Sequence, residues 1–535
     1  MNQVEVRKKQ IHAIISLLGI VTWLLLGRWI GYHGIAYFAV AAECLAFVLS
    51  FLAERVPDAL GRLLRGRSAR GQYKNAGTTR ISVLIFQTIL GILGGLLLFL
   101  AADILAEKVF RMPYAMLAMR ILAPALALRV LTGVLLGYFQ GKGNLLPSLA
   151  VDLLRRILYL GFGCLFVRLL KNYGEKVSLL LLNDSMPSMY GAAGMAVGVA
   201  LTEVLVLLFI AIVYLASGKT KKKQEEGLKK TETFFGAVGS LYSSMGPALL
   251  MDVLAFLPVG IGCILYQRSV EDIYASSYNY GIYVGGYLAG CAVPVLIISS
   301  ILHSLAARTA SAVRKGEQKY AKDIFGAGFH MTIILGLFAS LFMTLMAKQI
   351  SFVLAADAES ALILTSFMQK GAAAVVLAVL SILFCRVLIY NGKTYHVIGA
   401  LGIYVIVFVI GTVICFGPMK CEAEGLVIAG IAALLVLCIA TGMCVFRQLR
   451  AKMDLMYWIG IPCLAVLVCG IIWYLVGRFL TPHLGYAVTK ILGLILGSVV
   501  YWAILIVLRS FSRQEVEILP GGWILNQLKE WMRVV

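Results

Sequence analysis

The sequence has few charged residues and lacks the short motifs of common enzyme and metal sites. Asp, Glu, Lys and Arg make up only 14% of its 535 residues, against about 25% in a soluble globular chain. So little polar surface cannot cover a water-soluble body of this size. The eleven cysteines form no CxxC pair, and neither HExxH nor GxSxG occurs. We therefore expect no metal, no cofactor and no enzyme active site.

Long apolar runs fill most of the chain. Hydrophobic residue types account for 61% of it, and about fourteen runs reach the ~20 residues that a membrane-spanning helix requires. The first run covers residues 11–30 and the last covers 484–508. Runs of this length in lipid must be helical, because only a helix satisfies its own backbone hydrogen bonds. The sequence predicts an all-α polytopic membrane protein with about 14 transmembrane helices.

The charge that is present is unevenly distributed. Lys and Arg number 47 and Asp and Glu number 26, so the net charge is +21. In a soluble protein this excess would suggest nucleic acid, but here the basic residues fall mainly in alternate loops, as in cytoplasmic loops of membrane proteins. We expect membrane lipids rather than nucleic acid as the partner, with both termini in the cytoplasm.

Two pairs of loops resemble each other across the chain. The first pair reads SARGQYKNA at 68–76 and SAVRKGEQKYA at 311–321, and the second is Gly141-Lys142 and Gly392-Lys393. The offsets are about 245 and 251 residues, which predicts two six-helix lobes related as a pseudo-twofold parallel repeat. The predicted division is an N-terminal lobe at 1–217, a basic cytoplasmic linker at 218–239, a C-terminal lobe at 240–446, two further helices at 447–508 and a cytoplasmic interfacial tail at 509–535.

Several charged residues lie within the apolar runs. A charge at the centre of the bilayer costs about 2.5–3.5 kcal/mol on insertion scales, so each needs a partner or a watery cavity. Asp152 precedes Arg155 and Arg156 by three and four residues, which places all three on one helix face. The residues concerned are Glu43, Arg120, Arg129, Asp152, Arg155, Arg156, Glu203, Asp252 and Lys370.

Five segments in order along the chain resemble the multidrug/oligosaccharidyl-lipid/polysaccharide (MOP) exporter superfamily. The similarity is to polysaccharide-biosynthesis flippases of the stage V sporulation protein B type and, more distantly, to lipid II flippases of the MurJ type. The chain departs from the MurJ pattern in its first helix, where Arg28 is the only arginine, and on the fifth helix, where Asp152 and Arg155 replace a Gln and a Glu. The segments are LGRWIGYHGIAYFAVA from Leu26, ARGQYKNA, GYFQGKGNLLPS from Gly137, NGKTYHVIGALG from Asn391 and FSRQEVEILPGG from Phe511.

The resemblance implies a flippase that moves a polyprenyl-diphosphate-linked oligosaccharide or peptidoglycan precursor across the cytoplasmic membrane of a bacterium by alternating access. Arginine makes bidentate contacts with phosphate oxygens, so Arg129, Arg155 and Arg156, with Lys370, are the candidate diphosphate ligands. Glu43, Asp152, Glu203 and Asp252 are candidates for ion coupling or for counter-charges. In the other interpretation, the arginines pair with Glu43, Asp152 or Glu203 inside one lobe and only hold helices together.

Two further functions remain open. One is a cation-coupled multidrug exporter of the same superfamily, which would need an acidic, aromatic cavity. The other is a transport-inactive scaffold for cell-wall or polysaccharide synthesis enzymes. Gly281 and Gly285, at GxxxG spacing, predict close helix packing. The tail from Gly521 predicts a short helix on the inner leaflet.

Overall fold

The computed structural model describes residues 3–217, 232–355, 357–450, 456–484, 486–508, 510–519, 522–523 and 527. These residues are helical almost throughout, with no strand among them. The first half contains α1 (Gln3–Ile30), α2 (Tyr32–Leu52), α3 (Val56–Ala69), α4 (Tyr73–Asp103), α5 (Met116–Gly141), α6 (Leu146–Leu181) and α7 (Met186–Ala216).

The second half begins with α8, and the remaining helices follow with short connections. They are α8 (Phe234–Ser269), α9 (Ile273–Gly281), α10 (Ala289–Ile301), α11 (His303–Arg314), α12 (Gln318–Leu354), α13 (Ala358–Gly371), α14 (Ala373–Tyr390), α15 (Thr394–Phe416), α16 (Glu424–Leu449), α17 (Ile461–Leu484), α18 (Tyr486–Val507) and α19 (Arg513–Ile518).

The predicted number of membrane spans is confirmed. Within the described ranges, eleven helices are long and apolar enough to cross a membrane, and two shorter apolar helices, Ile14–Ile30 and Leu492–Val507, occupy the first and last predicted spans. The remaining span is α6, which has the length of a span but carries Asp152, Arg155 and Arg156. The tenth span consists of α13 and α14, separated at Ala372.

The repeated loops adopt the same conformation in both halves. After α3 and after α11, a glycine with positive φ (Gly71 at 74°, Gly316 at 81°) ends a short amphipathic helix and starts a long span. The same turn follows α5 and α14, at Gly143 and Gly392. Only glycine enters this left-handed region without steric cost. The loop similarity therefore reflects two copies of one backbone path, as the predicted parallel repeat requires.

Contacts between the halves are made mainly by α1 and α2 with the helices around α8–α10. Near the start of α2, His33 Nδ1 lies 2.9 Å from Ser277 Oγ, and Arg28 donates to the carbonyl oxygen of Val353 at 3.1 Å. Near its end, Arg55 forms an ion pair with Asp252 of α8. Helix α8 therefore runs antiparallel along α2, and it also packs against α15.

The segment after α18 docks against α12 through a buried polar group. His330, which is 1% exposed, contacts Ser510 Oγ through Nε2 at 3.0 Å and Glu515 Oε1 through Nδ1 at 3.6 Å. Glu515 also accepts from Tyr457 at 2.7 Å and closes a capping box with Ser512 at the start of α19. The acidic motif near the C-terminus therefore forms a docking contact. The predicted interfacial helix from Gly521 lies largely outside the described residues, as does most of the linker at 218–239.

Acid is expected to release this docked segment. Burial alone would raise the pKa of Glu515, but hydrogen bonds from His330, Tyr457 and Ser512 outweigh it and hold the pKa below its ordinary value of 4.5. A carboxyl with a depressed pKa in the folded state stabilises above its unfolded pKa, and that contribution is lost as the pH falls through the folded value. The protection of residues 510–519 against hydrogen exchange, taken relative to the intrinsic exchange rate at each pH, should therefore fall as the pH drops below the ordinary glutamate value of 4.5. Glu515→Gln should lower this protection already at neutral pH, and wild-type protection that stays constant across the acidic range would contradict the prediction.

Candidate functional site

A cluster of three arginines and three acids lies inside the first half, where α5, α6 and α7 pack together. The turn at Gly143 and Pro147 in the first turn of α6 set the start of that helix. Its second and third turns then carry Asp152, Arg155 and Arg156, of which Arg155 meets Glu203 of α7. The predicted common face is confirmed for Asp152 and Arg155, whose side chains lie 3.4 Å apart.

Arg155 is paired on two sides. Its Nε lies 2.8 Å from Oε1 of Glu203, and its Nη2 donates to Oε2 of the same carboxylate at 3.2 Å. Glu203, on α7, is only 1% exposed. An uncompensated buried carboxylate is costly, and Arg155 is the nearest cation to Glu203.

Arg129 approaches the same carboxylate from α5. Its closest partner is Glu54, in the turn between α2 and α3, at 3.1 Å, and Glu203 Oε1 lies 3.9 Å away. The Arg129 side chain is 32% exposed, about twice as much as that of Arg155. The Arg129 side chain is therefore less tightly enclosed than that of Arg155.

Arg156 differs from its two neighbours because it forms no ion pair with any residue that the structure describes. Its guanidinium group packs against Gly19 of α1, so closely that a methyl group there would lie 2.6 Å from Nη1. The nearest charges are mixed: Arg129 and Arg155 repel it and Asp152 attracts it. Helix α1 also packs against α10 of the second half, so Arg156 lies beside the helix that forms part of the boundary between the halves.

The other predicted site residues lie apart from this cluster. Asp252 on α8 accepts two hydrogen bonds from Arg55. Lys370 on α13 forms an ion pair with Glu424, which lies in the first turn of α16. The Glu424 carboxylate also accepts a hydrogen bond from Ser366 at 2.6 Å. Glu43 on α2 faces Gly260 of α8. The structure thus brings Arg129, Arg155, Arg156, Asp152 and Glu203 together but keeps Lys370, Asp252 and Glu43 elsewhere.

Sequence reasoning missed two charged partners, Glu54 and Arg55. Both lie in the short connection from α2 to α3, outside the apolar runs in which the candidate charges were sought. The available signal was Pro57, which begins an amphipathic helix immediately after them. That helix returns the chain towards α5. As a result, the Glu54 side chain meets Arg129 and the Arg55 side chain meets Asp252 of α8.

Comparison with solved structures shows that the chain shares the fold of transporters of the MOP superfamily. An inward-facing multidrug resistance MATE family transporter of that superfamily superposes with a TM-score of 0.61 over 82% of this chain and 95% of its own, at 14% identity. The lipid II flippase MurJ in an inward closed conformation gives 0.61 over 92% of this chain and 99% of its own, at 12% identity. A MOP transporter from Pyrococcus furiosus gives 0.56 over 84% and 97%, at 16% identity.

At the level of particular sequences, the chain is similar to stage V sporulation protein B of Bacillus subtilis. The two are 24% identical over 315 residues, which is 57% of each, so the match spans little more than half of that relative. No profile of a known protein family matches the chain. The resemblance to the MOP superfamily, to stage V sporulation protein B and to MurJ is thereby confirmed. The structural neighbours are named as transporters and a flippase rather than enzymes.

Proposed function

We propose that the protein is a flippase that carries a polyprenyl-diphosphate-linked oligosaccharide or peptidoglycan precursor across the cytoplasmic membrane of a bacterium, with both of its termini in the cytoplasm. The observation that carries the proposal is Arg156, a guanidinium group at membrane depth without an ion-pair partner in the described ranges. Such a charge is expensive in lipid and indicates a substrate or ion pathway. The fold shared with a named lipid II flippase supports the same function.

The three arginines play unequal parts in this proposal. Arg156 supplies the uncompensated donors, because Arg155 is committed to Glu203 and Asp152. Arg129 is partly exposed and can turn from Glu54 to a phosphate oxygen. Arg155 pairs with the buried Glu203, and in this proposal it positions Arg129 and Arg156 without binding the substrate itself. Lys370, paired with Glu424, lies outside this group.

Rocking of the two halves would expose the bound headgroup first to one side of the membrane and then to the other. An inside-negative potential assists outward movement of the anionic diphosphate by about 2.3 kcal/mol per charge per 100 mV. Transport should therefore proceed without ATP. The polyprenyl tail is expected to remain in lipid throughout.

Reconstituted flipping of a panel of undecaprenyl-diphosphate sugars tests the proposal. Arg156→Gln is expected to lower the flipping rate by about tenfold or more, since a charge-assisted hydrogen bond contributes about 1.5–3 kcal/mol. Arg156→Lys should retain part of the activity, because lysine keeps the charge but loses the bidentate geometry. Arg168→Gln is the matched control, since Arg168 is an exposed arginine on the same helix, and it should flip at the wild-type rate.

Other outcomes would overturn the proposal in distinguishable ways. Wild-type rates for Arg156→Gln would remove the assigned site. Export of cationic dyes without flipping of any lipid would identify a multidrug exporter. Absence of both activities, with the Arg156→Gln chain still able to replace the wild-type gene, would indicate a scaffold.

A further inference from the structure

Only one of the acids considered for ion coupling lacks a cation beside it in the described structure. Asp252 is held by Arg55, Glu203 by Arg155 and Arg129, and Asp152 by Arg155. Glu43 has neither an ion pair nor a hydrogen bond with any described residue. The geometry therefore separates Glu43 from the acids that serve as counter-charges.

Glu43 lies where the two halves meet. It is in the middle of α2, and it faces Gly260 of α8, the first helix of the second half. A methyl group placed on Gly260 would lie 3.7 Å from Cγ of Glu43 and 4.0 Å from its Oε1. Pro258, one half-turn before Gly260, interrupts the backbone hydrogen bonding of α8 at the same level. The carboxyl group thus faces a point where α8 is able to bend.

The groups around this carboxyl are polar but carry no positive charge. Its charge interacts with Cys44 of its own helix, with Cys263 of α8 and with Tyr280 of α9. Cys263 and Tyr280 are 0% and 1% exposed. From the other elements that pack against α2, which are α1, α4, α5, α7 and the segments Pro113–Ala115 and Ile282–Leu288, no described residue brings a positive charge to it. Every titratable neighbour is thus neutral when protonated, and none can balance an ionised Glu43.

This environment suits a proton better than a metal cation. Na⁺, Mg²⁺ and Ca²⁺ are hard ions that require several oxygen ligands, whereas the neighbours here offer two thiols and one phenol. In the described part of the chain, no group of three acid, histidine or cysteine side chains has the arrangement of a metal site. A proton needs only the carboxylate itself, and it removes the charge that burial disfavours.

We propose that Glu43 is a proton-binding site whose protonation state sets how closely α2 and α8 pack. The inference rests on the proposed transport function and adds its coupling ion. When the halves are packed at this level, Glu43 holds a proton and is neutral. When they separate and water reaches it, the O–H bond breaks, the proton passes to water and the carboxylate remains ionised. A proton taken up while the cleft faces one side of the membrane is released while it faces the other.

A distance measurement on the full-length protein in lipid nanodiscs tests this without any substrate. Spin labels are attached through a keto-bearing amino acid at positions 74 and 319, both exposed residues near the repeated loops of the two halves. The distance distribution is compared at about pH 5 and about pH 9, a range that covers the pKa values of buried glutamates. The wild type should shift between two distributions, and Glu43→Gln, which mimics the protonated state, should show the low-pH distribution at both.

Glu175→Gln is the control for the loss of a carboxylate, because Glu175 is exposed on α6; it should shift as the wild type does. A pH-driven shift that persists unchanged in Glu43→Gln would overturn the proposal, as would a wild type that does not respond to pH. Glu43→Asp checks folding, since it keeps the titratable group and should keep the shift. Failure of the flippase proposal has a different signature: lipid flipping would be absent while the pH-driven shift remained.

Discussion

Replacement of Arg155 by alanine is expected to destabilise the folded protein by about 3–5 kcal/mol, the usual cost of leaving one member of a buried ion pair uncompensated. The reason is Glu203, which is 1% exposed and receives two contacts from the Arg155 guanidinium group. Arg129 offers only partial compensation, since its nearest approach to Glu203 is 3.9 Å and its closer partner is Glu54. The loss should appear as a lower midpoint of unfolding in mixed micelles.

A second substitution separates loss of charge balance from loss of packing. Glu203→Gln removes the stranded charge, so the double variant Arg155→Ala, Glu203→Gln should recover much of the stability that Arg155→Ala loses. The interaction energy from the four-member cycle should then be favourable by more than about 1 kcal/mol. Arg168→Ala, an exposed change on the same helix, should move the midpoint little. Additive losses in the double variant would show that Arg155 does not act through Glu203.

If Arg155 is needed for stability, transport measurements on Arg155 variants do not isolate its contact with substrate. Loss of transport in a variant lacking both Arg155 and Arg156 would mix unfolding with loss of substrate contact. Arg156 is the better single target because changing it breaks no ion pair with any described residue.

The architecture could be predicted from the sequence because lipid leaves so few alternatives. Apolar runs of spanning length must be helices. The two pairs of similar loops indicated the repeat because Gly71 and Gly316 adopt the same left-handed conformation in the same turn of each half. The contact between Asp152 and Arg155 could also be predicted from their spacing, since residues three apart on a helix are neighbours. These are short-range constraints that a single sequence contains.

The partners of the buried charges could not be predicted in the same way. Arg155 and Glu203 are 48 residues apart on different helices, and helix rotation about its own axis decides whether they meet. Arg120 provides a second case, since it pairs at 2.7 Å with Asp103 of α4, a partner that spacing along the sequence does not indicate. The widened helical turn at Ile282–Leu288, between α9 and α10, likewise has no sequence signature and depends on packing against α2 and α13.

The GxxxG spacing at Gly281 and Gly285 was predicted to mark close helix packing, and the structure confirms it. A methyl group on Gly281 would lie 1.9 Å from the carbonyl oxygen of Tyr32, which is backbone and cannot turn aside. On Gly285 it would lie 2.7 Å from side-chain atoms of Ile35, which can rotate. Both glycines have a neighbour on α2, so they set the distance between the two halves near the start of that helix.

Gly281→Ala should therefore prevent α9 from packing against the start of α2, and most of the transport should be lost with that contact. Intrinsic propensity favours alanine over glycine inside a helix by about 1 kcal/mol, so any loss must come from overpacking, which typically costs about 1–3 kcal/mol or more. Flipping should fall by about tenfold or more, with the chain still folded, because each half keeps its own core. Gly285→Ala should have a smaller effect.

Gly399→Ala provides the matched control, since a methyl group there meets no atom within 4 Å. The order of effect, Gly281 above Gly285 above Gly399, follows from whether the neighbour is backbone, side chain or open space. Flipping rates and the 74–319 label distance should follow this order together, because both depend on the halves closing against each other. Equal rates for Gly281→Ala and Gly399→Ala would mean that the transport cycle does not pass through the arrangement in which α9 contacts α2.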